Sequence, residues 1–257
     1  MTFAHMKLGR RSRESDPRVD RVPLLARLLP TDVVLPPPPR LVSVAIPDQG
    51  WILGQNDQIG DCTEVARANA ILTLTTLAGH PIRVTDTEIK TIYFRLTGGQ
   101  DTGLCELDVL TDWQRTQMSN VDGGIADQLS GYGQVNISNH IECQQAISLF
   151  GGIYTGAKLP LTCQEQKSCW SIISDAPWSQ QTAGGWGGHA FWVPEYTIIG
   201  PVAITWGQRM QITWQWWDRY VDEAYALLDR DFLTAQGTTP AGMAWDQIAA
   251  DLTALAA

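Results

Sequence analysis

The sequence predicts an α+β protein with two lobes, a helical lobe first and an antiparallel β-rich lobe second, preceded by an extended arm. Three observations support this class. Apolar residues recur at helical spacing between positions 62 and 118, short β-branched and aromatic runs separated by Gly and Pro follow from position 153, and a proline run, "LPPPPR", closes the first 40 residues. At 257 residues the chain can form two lobes around one cleft.

We expect four parts, which span residues 1–45, 46–135, 136–235 and 236–257. The first is an Arg/Pro-rich arm, because polyproline geometry makes a stiff spacer rather than a core element. Within it, "VPLLARLLP" is expected to dock as a helical turn on the body or on a partner. The second part is the helical lobe and the third the β-rich lobe, while "GMAWDQIAADLTALAA" predicts an amphipathic C-terminal helix.

The helical lobe is predicted to begin with a helix over residues 62–77, where apolar residues recur at helical spacing. Asp61 followed by Glu64 is a capping-box pattern, which places Cys62 in the first turn. Two further helices are predicted over "TDTEIKTIYFRLTGG", capped at Thr85 or Asp86, and over "ELDVLTDWQRTQM".

The β-rich lobe is predicted to contain a helix, "SNHIECQQAISLFGG", and then the strands "IYTGAKLPL", "HAFWVPEYTII", "PVAITWG" and "MQITWQWW". A final helix is predicted over "DRYVDEAYALLDRDFL". Its polar residues Asp218, Asp222 and Glu223 are expected on a solvated face, with Tyr220 and Leu227 pointing inward.

The net charge of −9 is unevenly distributed along the chain. Residues 1–40 carry eight Lys/Arg and four acids, a net of +4, which leaves −13 for the remainder. Because phosphate affinity comes from clustered Lys and Arg, the acidic body is not expected to bind nucleic acid. Only the basic arm is a candidate for contact with nucleic acid or an acidic protein surface, and a solvated tail is the simpler interpretation.

Membrane association and secretion by a signal peptide are not expected. The sequence has no apolar run near the roughly 20 residues that span a bilayer, and its charged N-terminus has no apolar h-region. The expected location is therefore the cytoplasm of the producing cell, or a virion if the protein is part of such an assembly.

The five cysteines do not predict a disulfide framework, because their number is odd and their spacing irregular. Cys163 and Cys169 with His189 are a possible zinc set, but no C-x-x-C pair supports it. We expect neither a metal nor another cofactor.

Three short motifs, "QNDQIGDCT", "GGHA" and "TWG", occur in an order that resembles papain-like cysteine peptidases. With the tyrosine–acid stretch "WDRYVDEAYALL", they are more similar to a divergent branch from bacteria and bacteriophages with the pattern GNDxxGDCT, in which glutamine here replaces glycine. The resemblance covers roughly residues 50–235. It implies a papain-like two-lobed fold with a nucleophilic cysteine on the helical lobe and a histidine on the β-rich lobe.

Cys62 and His189 are the predicted catalytic pair. A helix N-terminus lowers the pKa of a thiol, although Asp61 and Glu64 oppose this effect. His189, 127 residues downstream, could hold the proton as an imidazolium, and Gly188 before it allows close backbone approach to a substrate. The alternatives are a buried structural cysteine and a core histidine.

The resemblance also implies an amide side chain six residues before the nucleophile as an oxyanion donor. That position is Asn56, with Gln55 and Gln58 as alternatives. A simple turn at this position is an equally compatible interpretation.

The family's orienting asparagine falls on Ile204, which cannot accept a hydrogen bond from His189. Thr205 is the predicted replacement acceptor, and the triad is incomplete without one. Trp206 matches the tryptophan that shields the histidine edge in that family, and a core aromatic is the alternative.

The sequence therefore predicts a papain-like thiol hydrolase that acts on a peptide or isopeptide bond, with weakened activity. The alternative is a catalytically degenerate papain-like fold that serves as a structural component of a phage virion or another assembly. The expected partner is a protein or peptide substrate in the first case, and neighbouring subunits that contact residues 1–45 in the second.

Overall fold

The computed structural model describes residues 2–28, 35–116 and 128–229. The predicted C-terminal helix at residues 236–257 lies outside the described residues. None of the helices in the described ranges is long and apolar enough to cross a membrane.

The helices are α1 Leu25–Leu28, α2 Cys62–Leu77, α3 Asp86–Leu96, α4 Glu106–Arg115, α5 His140–Phe150 and α6 Trp214–Tyr220. The strands are β1 Leu129–Gln134, β2 Ile153–Leu159, β3 Cys169–Trp170, β4 Gly187–Tyr196, β5 Pro201–Thr205, β6 Gln208–Ile212 and β7 Val221–Asp229.

Helix α2 is the central helix, and its bounds are those predicted from the sequence. Its residues 62–75 are buried on every side, since α3 and α4 pack on it and it packs in turn against strand β4. A helix that is buried all round has no solvated stripe, which explains why its apolar residues are interrupted by small and polar ones. This packing brings the first turn of α2 against the sheet.

The strands of the described residues form one seven-stranded sheet in the order β1-β7-β2-β4-β5-β6-β3. Neighbouring strands are antiparallel, except that β3 and β6 are parallel. The structure thus confirms the α+β class, with a helical amino-terminal part and an antiparallel sheet in the carboxy-terminal part.

The helix predicted over residues 218–233 is wrong for residues 221–229, and residues 230–233 lie outside the described residues. Helix α6 ends at Tyr220, and the following residues form β7, which lies between β1 and β2. A strand buried on both faces loses the alternation of apolar and polar residues, so its sequence imitates a helical pattern. Glu223 is only 2% exposed and does not lie on the solvated face that the sequence predicted.

The arm residues that the structure describes lie against the body. The predicted helical turn forms as α1, with Leu25 buried. Leu24 bridges to Gln134 at the end of β1, and Val42 bridges to Tyr196 at the end of β4. Residues 3–11, which we call the amino-terminal segment, lie in the cleft described below.

Candidate active site

Cys62 is the first residue of α2 and is only 1% exposed. The backbone N–H groups of Ala190 and Gly9 hydrogen-bond to its thiol and favour the thiolate. Burial outweighs them and, with the nearby Asp61 and Glu106 carboxylates, raises the pKa of Cys62 to about 11. In this closed arrangement the thiol is therefore protonated at neutral pH.

The predicted capping box before α2 does not form. The Asp61 side chain makes no cap hydrogen bond and instead accepts from the Gln55 N–H at 3.1 Å and from the Asn56 amide. Burial raises the pKa of Asp61 to about 7. Glu64, fully buried, lies 3.7 Å from Arg67 instead of turning back to the helix start. The capping box fails because Asp61 binds Gln55 and Asn56, and Glu64 is buried beside Arg67.

His189 lies on β4, opposite Ala157 of β2, and is fully buried. Its Nε2 lies 2.7 Å from Thr205 Oγ1, which is the contact predicted for Thr205. Its Nδ1 has no hydrogen-bond partner among the described residues. Burial and the positive charge of Arg10 lower the pKa of His189 to about 3, so the imidazole is neutral in the closed cleft.

Trp206 covers the His189 ring, with a ring separation of 4.9 Å and an interplanar angle of 25°. It lies in the two-residue turn between β5 and β6, where Trp206 has φ 50° and Gly207 has φ 73°. Two consecutive positive φ values favour Asn-Gly or Gly-Gly, so a tryptophan here is strained. The strain is offset because the indole is 5% exposed and packs on the imidazole.

The predicted oxyanion donor, Asn56, is buried and close to the start of α2. Its Nδ2 donates to Asp61, which orients the amide. Gln58 is exposed, and the Gln55 backbone also binds Asp61, so neither changes the preference for Asn56. Ile204 is buried in the sheet and offers no acceptor to His189.

The amino-terminal segment enters the cleft over the histidine side. The Phe3 ring packs 4.6 Å from the Trp206 ring, so that Trp206 lies between Phe3 and the imidazole. Further along, the Lys7 N–H donates to the Asn56 carbonyl at 2.6 Å. The segment therefore contacts two residues that the sequence assigned to the site.

The segment then pairs with both walls of the cleft through backbone hydrogen bonds. The Leu104 N–H donates to the Gly9 carbonyl at 2.8 Å, and the Arg11 N–H donates to the Leu104 carbonyl at 2.9 Å. On the opposite wall the Arg10 N–H donates to the Gly188 carbonyl at 3.3 Å. Gly188, predicted to bind substrate, thus binds a peptide backbone.

Close backbone approach explains the glycines along this path. A β-carbon on Gly9 would overlap the Gly60 carbonyl oxygen, and one on Gly188 would overlap the Arg10 carbonyl. Gly103 has φ 71°, and a β-carbon there would overlap the Gly9 carbonyl. The segment fits only because these positions carry no side chain.

Sequence reasoning missed the contribution of the arm to the site. The sequence places Gly9 and Arg10 in a solvated or partner-binding arm. No local pattern connects them with Leu104 or Gly188, which lie far along the chain. A glycine among basic residues is the only local signal, and it is weak.

Among the described residues, no group of three His, Cys, Asp or Glu side chains could hold a metal ion. Cys163 is buried among apolar side chains, and Cys169 lies on the short strand β3. His189 contacts Thr205 and Trp206 instead of these thiols.

Comparison with solved structures identifies the fold as that of papain-like cysteine proteases. Xylellain, a cysteine protease from Xylella fastidiosa, superposes with a TM-score of 0.59 at 14% identity, over 87% of this chain and 96% of that one. ProCathepsin B S9 from Trypanosoma congolense has a TM-score of 0.59 at 12% identity, over 88% and 87% of the two chains. The Carica candamarcensis cysteine protease CMS1MS2, in complex with E-64, has a TM-score of 0.53 at 13% identity, over 74% and 98%. No protein-family model and no curated protein matches the sequence.

Proposed function

We propose that this protein is a thiol hydrolase of peptide or isopeptide bonds. The arrangement of His189 carries the proposal. Its Nε2 is bound by Thr205, its Nδ1 is left without a partner among the described residues, and the next residue along the strand, Ala190, hydrogen-bonds to the Cys62 thiol. A nucleophile, a base and a group that orients the base are thus present in one buried cleft.

In the proposed reaction the Nε2–H of His189 donates to Thr205, which leaves Nδ1 as the base. The Cys62 sulfur attacks the carbonyl carbon while Nδ1 takes the thiol proton and passes it to the leaving amine, which leaves a thioester. Water then attacks the thioester, His189 takes a proton from it and returns that proton to the sulfur, and a carboxylic acid is released.

Two donors support stabilisation of the oxyanion. The Cys62 N–H belongs to the first turn of α2, where helix N–H groups lack intrahelical partners. Asn56 uses one amide hydrogen on Asp61 and has a second to offer. We infer that the Asp61–Asn56 contact positions this amide.

The structure corresponds to the closed state of this enzyme, because the amino-terminal segment covers both reacting groups. A thiol with a pKa of about 11 and an imidazole with a pKa of about 3 are both neutral at pH 7. Departure of the segment would hydrate both groups and remove the main cause of both shifts. The alternative role of residues 1–45, contact with neighbouring subunits, stays a prediction.

The substitution Gly9→Ala tests the proposal, since a β-carbon on residue 9 overlaps the Gly60 backbone and expels the segment. The rate of alkylation by iodoacetamide at pH 7 is measured for each cysteine by mass spectrometry, in the wild type and in Gly9→Ala. We expect Cys62 to react slowly in the wild type and faster than Cys105, Cys143, Cys163 and Cys169 in the variant, which should also bind E-64.

The substitution Ser12→Ala, on an exposed residue of the same arm, is the matched control and should leave the rate at Cys62 unchanged. Addition of His189→Ala to Gly9→Ala should remove the excess reactivity. If Cys62 in the opened chain reacts no faster than the other four thiols, the cysteine is not activated and the proposal fails.

A further inference from the structure

The Arg10 guanidinium fills a buried pocket whose walls carry three carboxylates. Its Nε binds Glu106, its Nη2 binds Glu223, and the same Nη2 lies 2.6 Å from Asp222 Oδ1. The Arg10 and Glu106 side chains are fully buried, and Glu223 and Asp222 are 2% and 16% exposed. A segment of the arm that forms neither helix nor strand thus places one arginine among three acidic side chains of the cleft.

The walls of the pocket belong to the body and do not depend on the segment. Glu106 is the first residue of α4, and Asp222 and Glu223 are on β7. Gly156 of β2 makes the space, since a β-carbon there would overlap both the Glu106 carboxylate and Arg10 Nε. The pocket is therefore a feature of the cleft, shaped for a flat cationic group.

The acidic groups of the pocket favour a cation. Burial raises the pKa of Glu106 and of Asp222, and the Arg10 charge opposes this in both. Even with Arg10 bound, the Glu106 and Glu223 carboxyls interact with each other, which also raises the pKa of Glu106. A single structural ion pair needs one carboxylate, whereas three surround the Arg10 guanidinium. Buried carboxylates without a cation nearby are unfavourable.

The pocket lies next to the reacting thiol. Arg10 follows Gly9, whose N–H hydrogen-bonds to Cys62, and the main chain of both residues also pairs with the cleft. Those backbone contacts are open to any peptide that replaces the segment, whereas the pocket selects one side chain. Contacts to Nε and Nη2 from different walls match the fixed fork of a guanidinium better than a lysine ammonium.

We propose that this pocket is an arginine-recognition subsite, which Arg10 occupies in the closed state and an arginine of a peptide substrate occupies after the segment leaves. The proposal rests on the proposed hydrolase function and names its substrate class: peptides with an arginine close to the bond that is cleaved. Glu106, Asp222 and Glu223 determine the specificity, and Gly156 provides the room.

The test measures binding in the full chain with Cys62→Ala, so that no bond is cleaved. The probes are the fluorescein-labelled peptide Gly-Arg-Gly amide and its citrulline counterpart, which has the same shape but no charge. Their dissociation constants are determined by fluorescence anisotropy for the chain with Arg10 and for Arg10→Ala, which empties the pocket.

With Arg10→Ala we expect the arginine peptide to bind at least about tenfold more tightly than the citrulline peptide, because charged hydrogen bonds are lost with citrulline. The chain with Arg10 should bind both weakly, since its own arginine fills the pocket. Addition of Gly156→Ala, which fills the pocket without a change of charge, or of Glu223→Gln should reduce the preference to near unity.

Equal binding of the two peptides to Arg10→Ala overturns the proposal, and so does an arginine preference that survives Gly156→Ala. If Arg10→Ala fails to fold by circular dichroism, Arg10→Lys keeps a cation in the pocket. Because an ammonium matches the guanidinium contacts less well than arginine does, the arginine peptide should displace the introduced lysine and still bind more tightly than the citrulline peptide. Because binding needs no active thiol, loss of the preference with an activated Cys62 refutes the subsite alone. An inert Cys62 with the preference intact refutes the hydrolase alone.

Discussion

Thr205 contacts His189 in the cleft, although the sequence has isoleucine at the expected asparagine position. Its hydroxyl lies 2.7 Å from His189 Nε2, one residue further along β5 than the alignment of "TWG" would place the orienting group. A hydroxyl accepts the imidazole N–H as an amide oxygen does, so the His189 tautomer is supported although the asparagine is missing.

Replacement of this hydroxyl should weaken the base. We expect Thr205→Val, which keeps the shape, to lower the rate of Cys62 alkylation at pH 7 by about tenfold in the Gly9→Ala chain, because Nε2 loses its partner. The matched control is Thr155→Val, a buried threonine of β2 whose hydroxyl bonds only its own strand at Ile153. Equal rates for the two valine variants would contradict an orienting role for Thr205.

At the scale of the secondary-structure elements, helix α3 shows where local sequence is sufficient. Thr85 Oγ1 accepts from the Glu88 N–H at 3.3 Å, and Glu88 Oε2 accepts from the Thr85 N–H at 3.0 Å. The cap therefore forms at Thr85, one of the two positions that the sequence predicts, whereas the capping box predicted at Asp61 does not form. The difference is burial: Thr85 and Glu88 lie at the surface of the lobe, while Asp61 and Glu64 are fully buried among other polar groups.

Removal of the α3 cap should destabilise the protein modestly. We expect Thr85→Ala to lower the free energy of unfolding by about 1 kcal/mol, since the Glu88 N–H loses its acceptor. Urea unfolding followed by circular dichroism measures the change. Thr91→Ala, on the exposed face of the same helix, should have almost no effect or a slight stabilising one. A loss at Thr91 as large as that at Thr85 would argue against the cap.

Strand β7 shows where local sequence misleads. Its residues are buried on both faces between β1 and β2, so that the two-residue period that marks a surface strand is absent. Helix α6 directly precedes β7, so the helical sequence pattern continues into the strand without a break. Because β7 carries Asp222 and Glu223, this error also hid the acidic pocket.

At the scale of the whole molecule, the sequence predicts the α+β class, the helices α2 to α5 and the contact between Thr205 and His189, but not the strands β1, β3 and β7. It could not predict that the arm lies in the cleft. Arg10 meets Glu106, Asp222 and Glu223 across 96 to 213 positions of the chain. Contacts of that separation depend on the tertiary arrangement of three elements, and charge counting along the sequence assigns Arg10 only to a basic tail.

Stability of the whole fold should depend on His189. In the folded chain its pKa falls from an ordinary value of 6.5 to about 3. The unfolded chain therefore binds a proton more readily, and the contribution of the neutral imidazole is complete above pH 6.5 and is lost as the pH falls towards 3. The total is about 5 kcal/mol.

We therefore expect His189→Asn to show a shallower fall in the free energy of unfolding between pH 6.5 and 3.5 than the wild type. Urea titrations at a series of pH values measure the slopes. His5→Asn, which removes an exposed histidine, serves as the control. Parallel curves for the wild type and His189→Asn would show that the buried imidazole does not contribute to acid sensitivity.

The tether of the docked segment lowers the apparent affinity of the cleft for a free peptide. Arg11, the last residue of the segment, and Arg18, beyond it, both bind Asp108, at 2.5 and 2.6 Å. A short tether gives a segment an effective concentration of about millimolar at its own site. A free peptide at micromolar concentration competes against that value, and its apparent affinity equals its intrinsic affinity multiplied by the fraction of open chains. Binding measurements on the intact chain thus report how often the cleft is empty as well as how well it binds a peptide.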